Sequence, residues 1–345
     1  MKNKQKVLIT GCTGQDGSLM ADYLLNNTDH LIVAGARRLS VKNHKNIEHL
    51  IENPRFKLID LDVADQLNVY DTIHKEQPDY FINFAANSFV GSSWTMPVNH
   101  METNAMAVLY QLEAINKCQP KCRYYNAGSS EQFGNVNYAP QDIGHPFKPR
   151  SPYGAAKCSA HHLVKVWRES FGLYAVQGIL FNHEGVRRGE EFVTRKITKA
   201  VARITNEILD LKDFKPLELG NLDAKRDWSD AEDFIEGIWL MLNQESPKDY
   251  VLSSNEMHSI REFVEEAFNF AGFATDQCEW KGCGIYEKYM HGDNTLVQIN
   301  PKFYRPAEVE LLLGDSTPAR EELGWKPKTN FLELVRKMVR NDIKQ

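Results

Sequence analysis

The stretch VLITGCTGQDGSLMADYLL, at 7–25, determines how the rest of the chain is interpreted. A short apolar run is followed by Gly11, Gly14 and Gly17, and then by an amphipathic pattern that predicts a helix beginning near Asp16. Glycines at such a turn let the backbone approach a pyrophosphate, whose charge meets free N–H groups and the positive helix end. The context predicts a dinucleotide-binding loop. A glycine-rich turn without a ligand is the alternative, since the spacing differs by one residue from G-x-G-x-x-G.

Further apolar runs along the first half of the chain predict more strands, with helical patterns between them. These runs lie at 31–36, 56–63, 80–86, 123–129 and 174–181. Near-continuous apolar strands separated by helices indicate a parallel sheet that is covered on both faces and wound with right-handed crossovers. The predicted fold class is α/β, a Rossmann-like doubly wound parallel sheet with a smaller, mostly helical C-terminal domain for the substrate.

The domain organisation follows from the length and from a change of rhythm. With 345 residues the chain exceeds the size that one hydrophobic core usually serves, so we expect one large domain or two closely associated domains. After residue 182 the alternation loosens, although 230–243 and 249–254 predict one more helix and strand of the sheet. The expected boundaries are 1–181 plus about 222–255 for the Rossmann domain, and about 182–221 plus 256–345 for the smaller domain.

The composition is that of a globular protein, with 42% hydrophobic and 25% charged residues and a net charge of −5. Because no long block of one charge sign occurs, we expect a small-molecule partner and no nucleic-acid or membrane surface. The N-terminal apolar run is too short and polar for a signal peptide or membrane span, so a cytoplasmic protein is expected. The cysteine pairs 118/122 and 278/283 lack zinc-site spacing, which predicts reduced thiols and no metal.

A phenol and an ammonium stand one helical turn apart in SPYGAAK, which begins at Ser151. Ser151 suits an N-cap and Pro152 the first helical position, so Tyr153 and Lys157 fall on one face of a helix ending near Gly172. A nearby ammonium favours the phenolate of tyrosine, whose ordinary pKa is about 10, and brings it toward the working range of a general base. As an isolated spacing the pair is common on surfaces, but after a dinucleotide loop it favours proton removal from a sugar or alcohol.

Polar side chains follow the predicted strand at 123–129, in the order Ser129, Ser130 and Glu131. The carboxyl ends of strands are where ligands bind in open α/β sheets. A hydroxyl and a carboxylate at this tip can donate and accept protons on a substrate held against the cofactor. A turn with ordinary serine hydrogen bonds is the alternative interpretation.

The end of the second predicted strand indicates which dinucleotide binds. An NAD site normally has an acidic residue there, whereas the 2′-phosphate of NADP requires arginine. This chain has Arg37 and Arg38 and no carboxylate, which predicts NADP; a solvated strand end is the alternative. Asp62 and Val63, at the end of the third predicted strand, are expected beside the adenine.

Seven segments together resemble the extended short-chain dehydrogenase/reductase family and, within it, the GDP-mannose 4,6-dehydratase group. The segments are GCTGQDG, NFAANSFVGSSW, GSSE, SPYGAAK, LFNHEGVRRGEEFVTRKI, GNLDAKRDW and FYRPAEVELLLGD. The resemblance covers nearly the whole chain and implies conversion of GDP-mannose to GDP-4-keto-6-deoxy-mannose, with hydride passing from C4 to NADP and then to C6. It implies that Tyr153, helped by Lys157, takes the C4 hydroxyl proton, and that Glu131 removes the C5 proton before water leaves from C6.

The patterns and the resemblance together give the expected binding residues. The catalytic set is Ser129, Glu131, Tyr153 and Lys157. The set expected at NADP is Gly11, Thr13, Gly14, Gln15, Asp16, Gly17, Arg37, Arg38, Asp62, Val63, Ala85, Ala86, Ser88, Tyr153, Lys157, His183 and Arg188. The set expected at the GDP-sugar is Ser88, Ser129, Glu131, Asn182, Val193, Lys196, Arg226, Arg305 and Glu308. The resemblance also implies a homo-dimer or homo-tetramer, because in relatives the loop with the two arginines can reach a neighbouring subunit.

The chain departs from the family pattern at the strand tip. Ser129 stands where the family has threonine, and Phe133 stands where it has tyrosine. The missing methyl group opens a little volume near the sugar, so GDP-D-glycero-D-manno-heptose is an alternative substrate for the same chemistry. Two other hypotheses remain: a 4-epimerase or reductase, which would keep Tyr153 and Lys157 but not need Glu131, and a non-catalytic NADP-sensing module.

Overall fold

The computed structural model describes residues 4–134, 136, 138–303 and 311–344. Within them, the strands are β1 (Lys6–Thr10), β2 (Leu31–Ala36), β3 (Phe56–Asp60), β4 (Tyr80–Asn83), β5 (Arg123–Ala127), β6 (Ala175–Leu180), β7 (Asn182–Glu184), β8 (Leu217–Leu219), β9 (Lys225–Arg226), β10 (Trp228–Asp230), β11 (Tyr250–Leu252), β12 (His258–Ser259), β13 (Cys278–Lys281), β14 (Lys288–His291) and β15 (Asn294–Ile299). The α-helices are α1 (Gln15–Asn27), α2 (Gln66–Glu76), α3 (Pro97–Met101), α4 (Ala107–Cys118), α5 (Pro152–Phe171), α6 (Val193–Leu209), α7 (Ala231–Leu242), α8 (Ile260–Phe270), α9 (Thr317–Leu323) and α10 (Phe331–Ile343).

The central sheet has seven strands in the order β3-β2-β1-β4-β5-β6-β11, and every neighbouring pair is parallel. The chain therefore builds outward from β1 in one direction and then, from β4 onward, in the other. The crevice beyond the carboxyl ends of β1 and β4 is the place where such sheets bind ligands. The predicted α/β Rossmann-like fold is confirmed.

Three of the predicted strands are shorter than their apolar runs. The runs at 56–63, 80–86 and 123–129 end as strands at Asp60, Asn83 and Ala127. The residues beyond these points continue as loops at the carboxyl edge of the sheet. Asp62, Val63 and the tip that contains Ser129 therefore lie after their strands rather than within them.

Two hydrophobic clusters cover the two faces of the sheet. Successive residues of β1 point to opposite sides, so that Val7 and Ile9 pack with α1 and α7, whereas Leu8 packs with α2, α4 and α5. All three side chains are fully buried. Burial of an aliphatic side chain contributes about 1.5–3 kcal/mol each, so this double cover makes the strand a rigid base for the loop that follows it.

A third cluster forms the smaller lobe, where α6, α8 and α10 pack against a four-stranded sheet in the order β13-β14-β15-β8. The three helices agree with the mostly helical domain that the sequence predicts. The four-stranded sheet was not predicted. Its strands β13 and β14 are hard to recognise in the sequence, because β13 is half exposed and Gly282, Gly284 and Gly292 interrupt the region at positive φ. In the described parts of the chain, no helix is long and apolar enough to cross a bilayer.

Helix α5 has the ends that its sequence predicts. The Ser151 hydroxyl accepts a hydrogen bond from the Gly154 N–H at 3.0 Å, and Pro152 occupies the first turn. Gly172 ends the helix with φ 68, in the left-handed region that favours glycine. The helix start therefore faces the carboxyl end of β5, where Lys157 Nζ donates to the Ala127 carbonyl at 2.8 Å.

Candidate active site

The glycine loop is closed tightly against the helix that follows it. Gly11 has φ 67, and a Cβ at that position would lie 2.8 Å from the Ala85 nitrogen. A Cβ at Gly17 would lie 2.4 Å from the Gly11 carbonyl oxygen, so neither residue can be replaced without moving the backbone. Gly14 is the N-cap of α1 and supplies no side-chain cap, which leaves the first N–H groups of the helix available for an anion. The loop fits the diphosphate of a dinucleotide.

Helix α1 is joined to the segment after β6 by a buried ion pair. His183 Nε2 lies 2.9 Å from Asp16 Oδ2, and His183 Nδ1 lies 2.8 Å from the Phe181 carbonyl oxygen. Burial opposes both charges, but their attraction holds the pKa of Asp16 at about 2 and raises the pKa of His183 above its ordinary value. Gln15 reinforces the junction by donating to the His183 carbonyl at 3.2 Å.

The two arginines of the same segment have different partners. Arg187 donates to Ser18 at 3.0 Å and pairs with Asp22 at 2.7 Å, so it ties the segment to α1. Arg188 pairs with Glu184, with its Nε 3.1 Å from Oε2, and its guanidinium lies 3.5 Å from the centre of the Phe192 ring. The positive charge of Arg188 also lowers the pKa of the Tyr153 phenol, which opposes part of the rise caused by burial.

The remaining residues expected at NADP lie on loops at the carboxyl edge. Arg37 and Arg38 directly follow β2 and are exposed. Ala85 and Ala86 follow β4, and the Ala85 N–H donates to the Thr10 hydroxyl at 3.3 Å. Ser88 is exposed, and the neighbouring Phe89 contacts Phe192 edge to face at 5.9 Å.

Tyr153 and Lys157 are both buried, which changes the electrostatics expected from the sequence. Burial raises the pKa of Tyr153 to about 12 and lowers the pKa of Lys157 to about 8. The prediction that the lysine brings the phenol into working range is wrong for the protein alone. The lysine ammonium lies 5.8 Å from the centre of the tyrosine ring and donates to a backbone carbonyl instead. Desolvation therefore outweighs the attraction between the pair.

Ser129 faces the phenol from the strand tip. Its hydroxyl accepts from the Glu131 N–H at 3.3 Å, so its own proton is free to point elsewhere. The side chains of Ser129 and Tyr153 form a hydrogen bond that lowers the pKa of the tyrosine. The pKa falls because a hydroxyl that donates to the phenolate stabilises its charged form. The nearby Glu131 carboxylate has the opposite effect on the pKa of Tyr153. The four predicted catalytic residues are thus brought within electrostatic reach of one another.

Two residues that position this group escaped the sequence analysis. Gly154 lies in the first turn of α5, where a Cβ would be 2.7 Å from the Glu131 carbonyl oxygen. Its missing side chain lets the helix meet the strand tip closely. Gln132 is fully buried and accepts from the Ser129 N–H at 2.9 Å. The glycine inside SPYGAAK was the available signal for the first contact, whereas the partners of Gln132 are distant in sequence.

The residues expected at the GDP-sugar are distributed over β7, α6 and β9. Asn182 begins β7, and its buried Oδ1 has no hydrogen-bond partner among the described residues. Val193 begins α6, one turn before Lys196, whose ammonium donates to the Glu218 carbonyl at 2.6 Å and lies 3.5 Å from the centre of the Phe303 ring. Arg226 in β9 is buried. Arg305 and Glu308 lie outside the described residues.

A basic cavity adjoins Lys196 in the smaller lobe. Its volume is about 810 Å³, and four cations line it. They are Lys196, Lys199, Arg203 and Lys215. A second cavity, of about 550 Å³, is lined by acidic residues of α8 and by the start of α10, and it contains none of the predicted site residues. The charge of the first cavity suits a nucleoside diphosphate, and that of the second does not.

Comparisons with known proteins point to one family. The family model described as GDP-mannose 4,6 dehydratase matches residues 8–338. The GDP-mannose 4,6 dehydratase of Drosophila melanogaster is 44% identical, over 97% of this chain and 85% of that protein. The protein of the same name from Homo sapiens is 40% identical, over 99% of this chain and 92% of that protein.

A solved structure of similar fold is the dTDP-glucose 4,6-dehydratase of Bacillus anthracis strain Ames in complex with NAD. It is 18% identical with a TM-score of 0.80, and the match covers 99% of this chain and 97% of that one. At that identity the likeness concerns the fold alone. The family model and the two relatives extend over almost the whole length, and the chain therefore belongs to the GDP-mannose 4,6-dehydratase family.

Proposed function

We propose that this protein is an NADP-dependent GDP-mannose 4,6-dehydratase, which forms GDP-4-keto-6-deoxy-mannose and water. The observation that carries the proposal is the convergence of Ser129, Glu131, Tyr153 and Lys157 at the carboxyl edge of the sheet, beside a glycine loop built for a diphosphate. A hydroxyl, a phenol and a carboxylate together provide the acid and base groups that an oxidation followed by an elimination requires.

The chain's own residues divide the proton transfers between them. Tyr153 removes the C4 hydroxyl proton, and the Ser129 hydroxyl stabilises the phenolate through its hydrogen bond. Once C4 is a ketone, the hydrogen on C5 is acidic. Glu131 removes it as a proton and gives a proton to the C6 hydroxyl, which leaves as water; when C6 is reduced, C5 takes up a proton that balances the one Tyr153 took from the C4 hydroxyl. The glycine loop after β1 would hold NADP, which would supply the hydride acceptor for C4, the hydride donor for C6 and a positive charge that favours the phenolate, so that no net redox change remains. The carboxylate at the strand tip is the group that an epimerase would not need.

The buried acceptor atoms support a site for polar ligands beside these residues. Gln15 Oε1 and Asn182 Oδ1 are both buried and have no hydrogen-bond partner among the residues that the structure describes. Buried polar atoms are normally paired, so these two are available to hydroxyl or amide donors of a ligand. Gln15 lies in the first turn of α1, at the proposed cofactor, and Asn182 lies in β7, at the proposed sugar nucleotide.

The substrate is tested by incubating the purified protein with GDP-mannose and with GDP-D-glycero-D-manno-heptose in parallel. We expect loss of one water from GDP-mannose, detected by mass spectrometry of the nucleotide sugar. A control with UDP-glucose should remain unchanged, because the proposed substrate is a GDP-sugar. If only the heptose compound is dehydrated, GDP-D-glycero-D-manno-heptose is the substrate instead of GDP-mannose. If neither compound is dehydrated, the proposed function is contradicted.

The preference for NADP is proposed from Arg37 and Arg38, two exposed arginines directly after β2, where the sequence has no carboxylate. We expect the double change Arg37→Ala and Arg38→Ala to weaken NADP binding by roughly 10–100-fold, the size of one or two lost charge-assisted contacts. NAD binding should stay unchanged. Isothermal titration with both dinucleotides measures the difference, and Lys75→Ala removes an exposed cation on α2 as the control. Equal losses for both dinucleotides would contradict the assignment.

A homo-dimer or homo-tetramer is the proposed assembly. The support is the family resemblance of the loop that contains Arg37 and Arg38. Sedimentation or light scattering of the intact protein distinguishes these two states from a monomer.

A further inference from the structure

A continuous chain of buried amide side chains runs across β4, β5 and β6 and ends at the strand tip that contains Ser129 and Glu131. The Asn83 amide donates to Asn126 at 2.9 Å, Asn126 donates to Gln177 at 2.7 Å, and Gln177 donates to Gln132 at 2.9 Å. Gln132 then accepts from the Ser129 N–H at 2.9 Å. We refer to these four amides, on β4, β5, β6 and the tip, as the amide ladder.

The strand register places the ladder where it is. Asn83 is paired with Asn126 across β4 and β5, and Asn126 is paired with Gln177 across β5 and β6. Each amide therefore stands beside the next on the same side of the sheet. Gly128 leaves room for the last step, because a Cβ there would lie 2.7 Å from the Gln177 amide nitrogen.

One backbone group sets the direction of the whole ladder. The Ser129 N–H can only donate, so Gln132 must present its oxygen to it. That oxygen also faces Gln177, which must therefore present its NH₂ group and keep its own oxygen toward Asn126. The same constraint passes on to Asn83, whose oxygen accepts from the Thr10 hydroxyl at 2.6 Å. Reversal of any one amide would place like groups against each other.

Burial makes the ladder sensitive to the loss of any member. The exposures are 0% for Gln132 and Gln177, 1% for Asn126 and 3% for Asn83. Water cannot replace a missing partner at such depth, and each of the bonds from Asn83 to the Ser129 N–H joins one donor to one acceptor. Gln132 Nε2, at the end of the ladder, is buried and has no hydrogen-bond partner among the described residues. The tip is additionally held by the bond from Gly128 N–H to the Gly178 carbonyl, at 2.8 Å.

We propose that Gln177 and Gln132 are positioning residues that hold the strand tip in the geometry in which Ser129 and Glu131 act. Neither amide touches the reacting sugar, and both act through the Ser129 backbone. The expected effect on kcat rests on the proposed function. The expected effect on the structure of the tip rests on the hydrogen bonds alone.

The test uses a ladder variant and a stability control. Gln177→Met keeps the length and volume of the side chain but removes both hydrogen-bonding groups, including the donor to Gln132. Thr198→Val removes a buried hydroxyl, which donates to Asp342 at 2.7 Å in the smaller lobe, and so lowers stability without reaching the tip.

We expect Gln177→Met to lower kcat by roughly 10–100-fold, since a misplacement of about 1 Å at a catalytic group has that effect, with KM nearly unchanged. Amide hydrogen exchange in a peptide covering 128–133 should become at least about tenfold faster, because the acceptor of the Ser129 N–H loses its own partner. Thr198→Val should leave kcat unchanged.

Two results would overturn the proposal: an unchanged kcat in Gln177→Met, or a loss of kcat in Thr198→Val that matches it at equal loss of thermal stability. Failure of the unaltered protein to dehydrate GDP-mannose would refute the proposed function instead. The exchange rate at 128–133 then decides the ladder: faster exchange in Gln177→Met supports it, and unchanged exchange refutes it.

Discussion

Replacement of Glu131 by glutamine should reduce the dehydration of GDP-mannose by roughly 10²–10⁴-fold, the usual contribution of a positioned general base. The amide keeps the shape of the side chain but cannot take the C5 proton. The loss should appear in kcat with little change in KM, because the proton transfer is an interaction of the transition state only. The measurement is the rate of water loss from the nucleotide sugar, with substrate affinity from isothermal titration.

The matched control is Glu169→Gln, which removes an exposed carboxylate from the far end of α5. Glu169 pairs weakly with Lys165, at 3.9 Å, and lies away from the strand tip. Its turnover should stay within about twofold of the original protein, since surface substitutions of this kind have small effects. Equal turnover in Glu131→Gln and the control would refute the dehydratase assignment and favour an epimerase or reductase, which has no step for this carboxylate.

Tyr153→Phe should reduce turnover by a similar factor, roughly 10²–10⁴-fold, because it removes the base for the C4 hydroxyl. Its backbone position and most of its packing remain, since the ring is retained. Tyr286→Phe removes an exposed phenol of the smaller lobe and should leave turnover unchanged. The two variants are compared by the same assay, and a Tyr153→Phe protein with more than about a tenth of the original kcat would contradict the role of the phenol.

The pH dependence gives a second test of the same pair. Burial lowers the pKa of Lys157 to about 8, so the ammonium predominates at neutral pH and is lost above about pH 8. Desolvation keeps the phenol protonated in the protein alone, but an ammonium 5.8 Å from the ring centre favours the phenolate more than a neutral amine does, so turnover should decline on the alkaline side of that value. Lys157→Met should be slow at every pH and should lack this decline, which a kcat profile from about pH 6 to 10 measures. An alkaline decline that survives in Lys157→Met would assign it to another group.

Local sequence determines the two elements that deliver the chemistry. Ser151, Pro152 and Gly172 mark the ends of α5 within one residue of where the structure has them, because caps act on the backbone within one turn. Gly11 and Gly17 likewise predict the strand-to-helix turn, since only a residue without Cβ fits so close to the neighbouring backbone there. The alternation of strands and helices then predicts a parallel sheet. The order of its strands comes from the structure.

The properties of the site depend on partners that are remote in sequence. The pKa of Asp16 is set by His183, which is 167 positions away, and Gln132 meets Gln177 45 positions away. A pattern of residues contains no information about such desolvation or pairing. For the same reason, the parallel pairing of β8 with β15 in the smaller lobe could not be predicted, because it joins Leu217 to Val297.

The sequence by itself determined the fold class, the position of the glycine loop and the helix that presents Tyr153 and Lys157, because these depend on caps, glycines and periodicity over a few residues. The family was indicated by the resemblance of seven segments to known proteins. Only the tertiary structure decided that burial raises the pKa of Tyr153 while lowering that of Lys157, and that amides from three neighbouring strands and one from the tip form a chain ending at the Ser129 N–H. Both results come from the exclusion of water when distant segments pack together, which disfavours the charged form of each buried titratable group and leaves each buried polar group dependent on its partner.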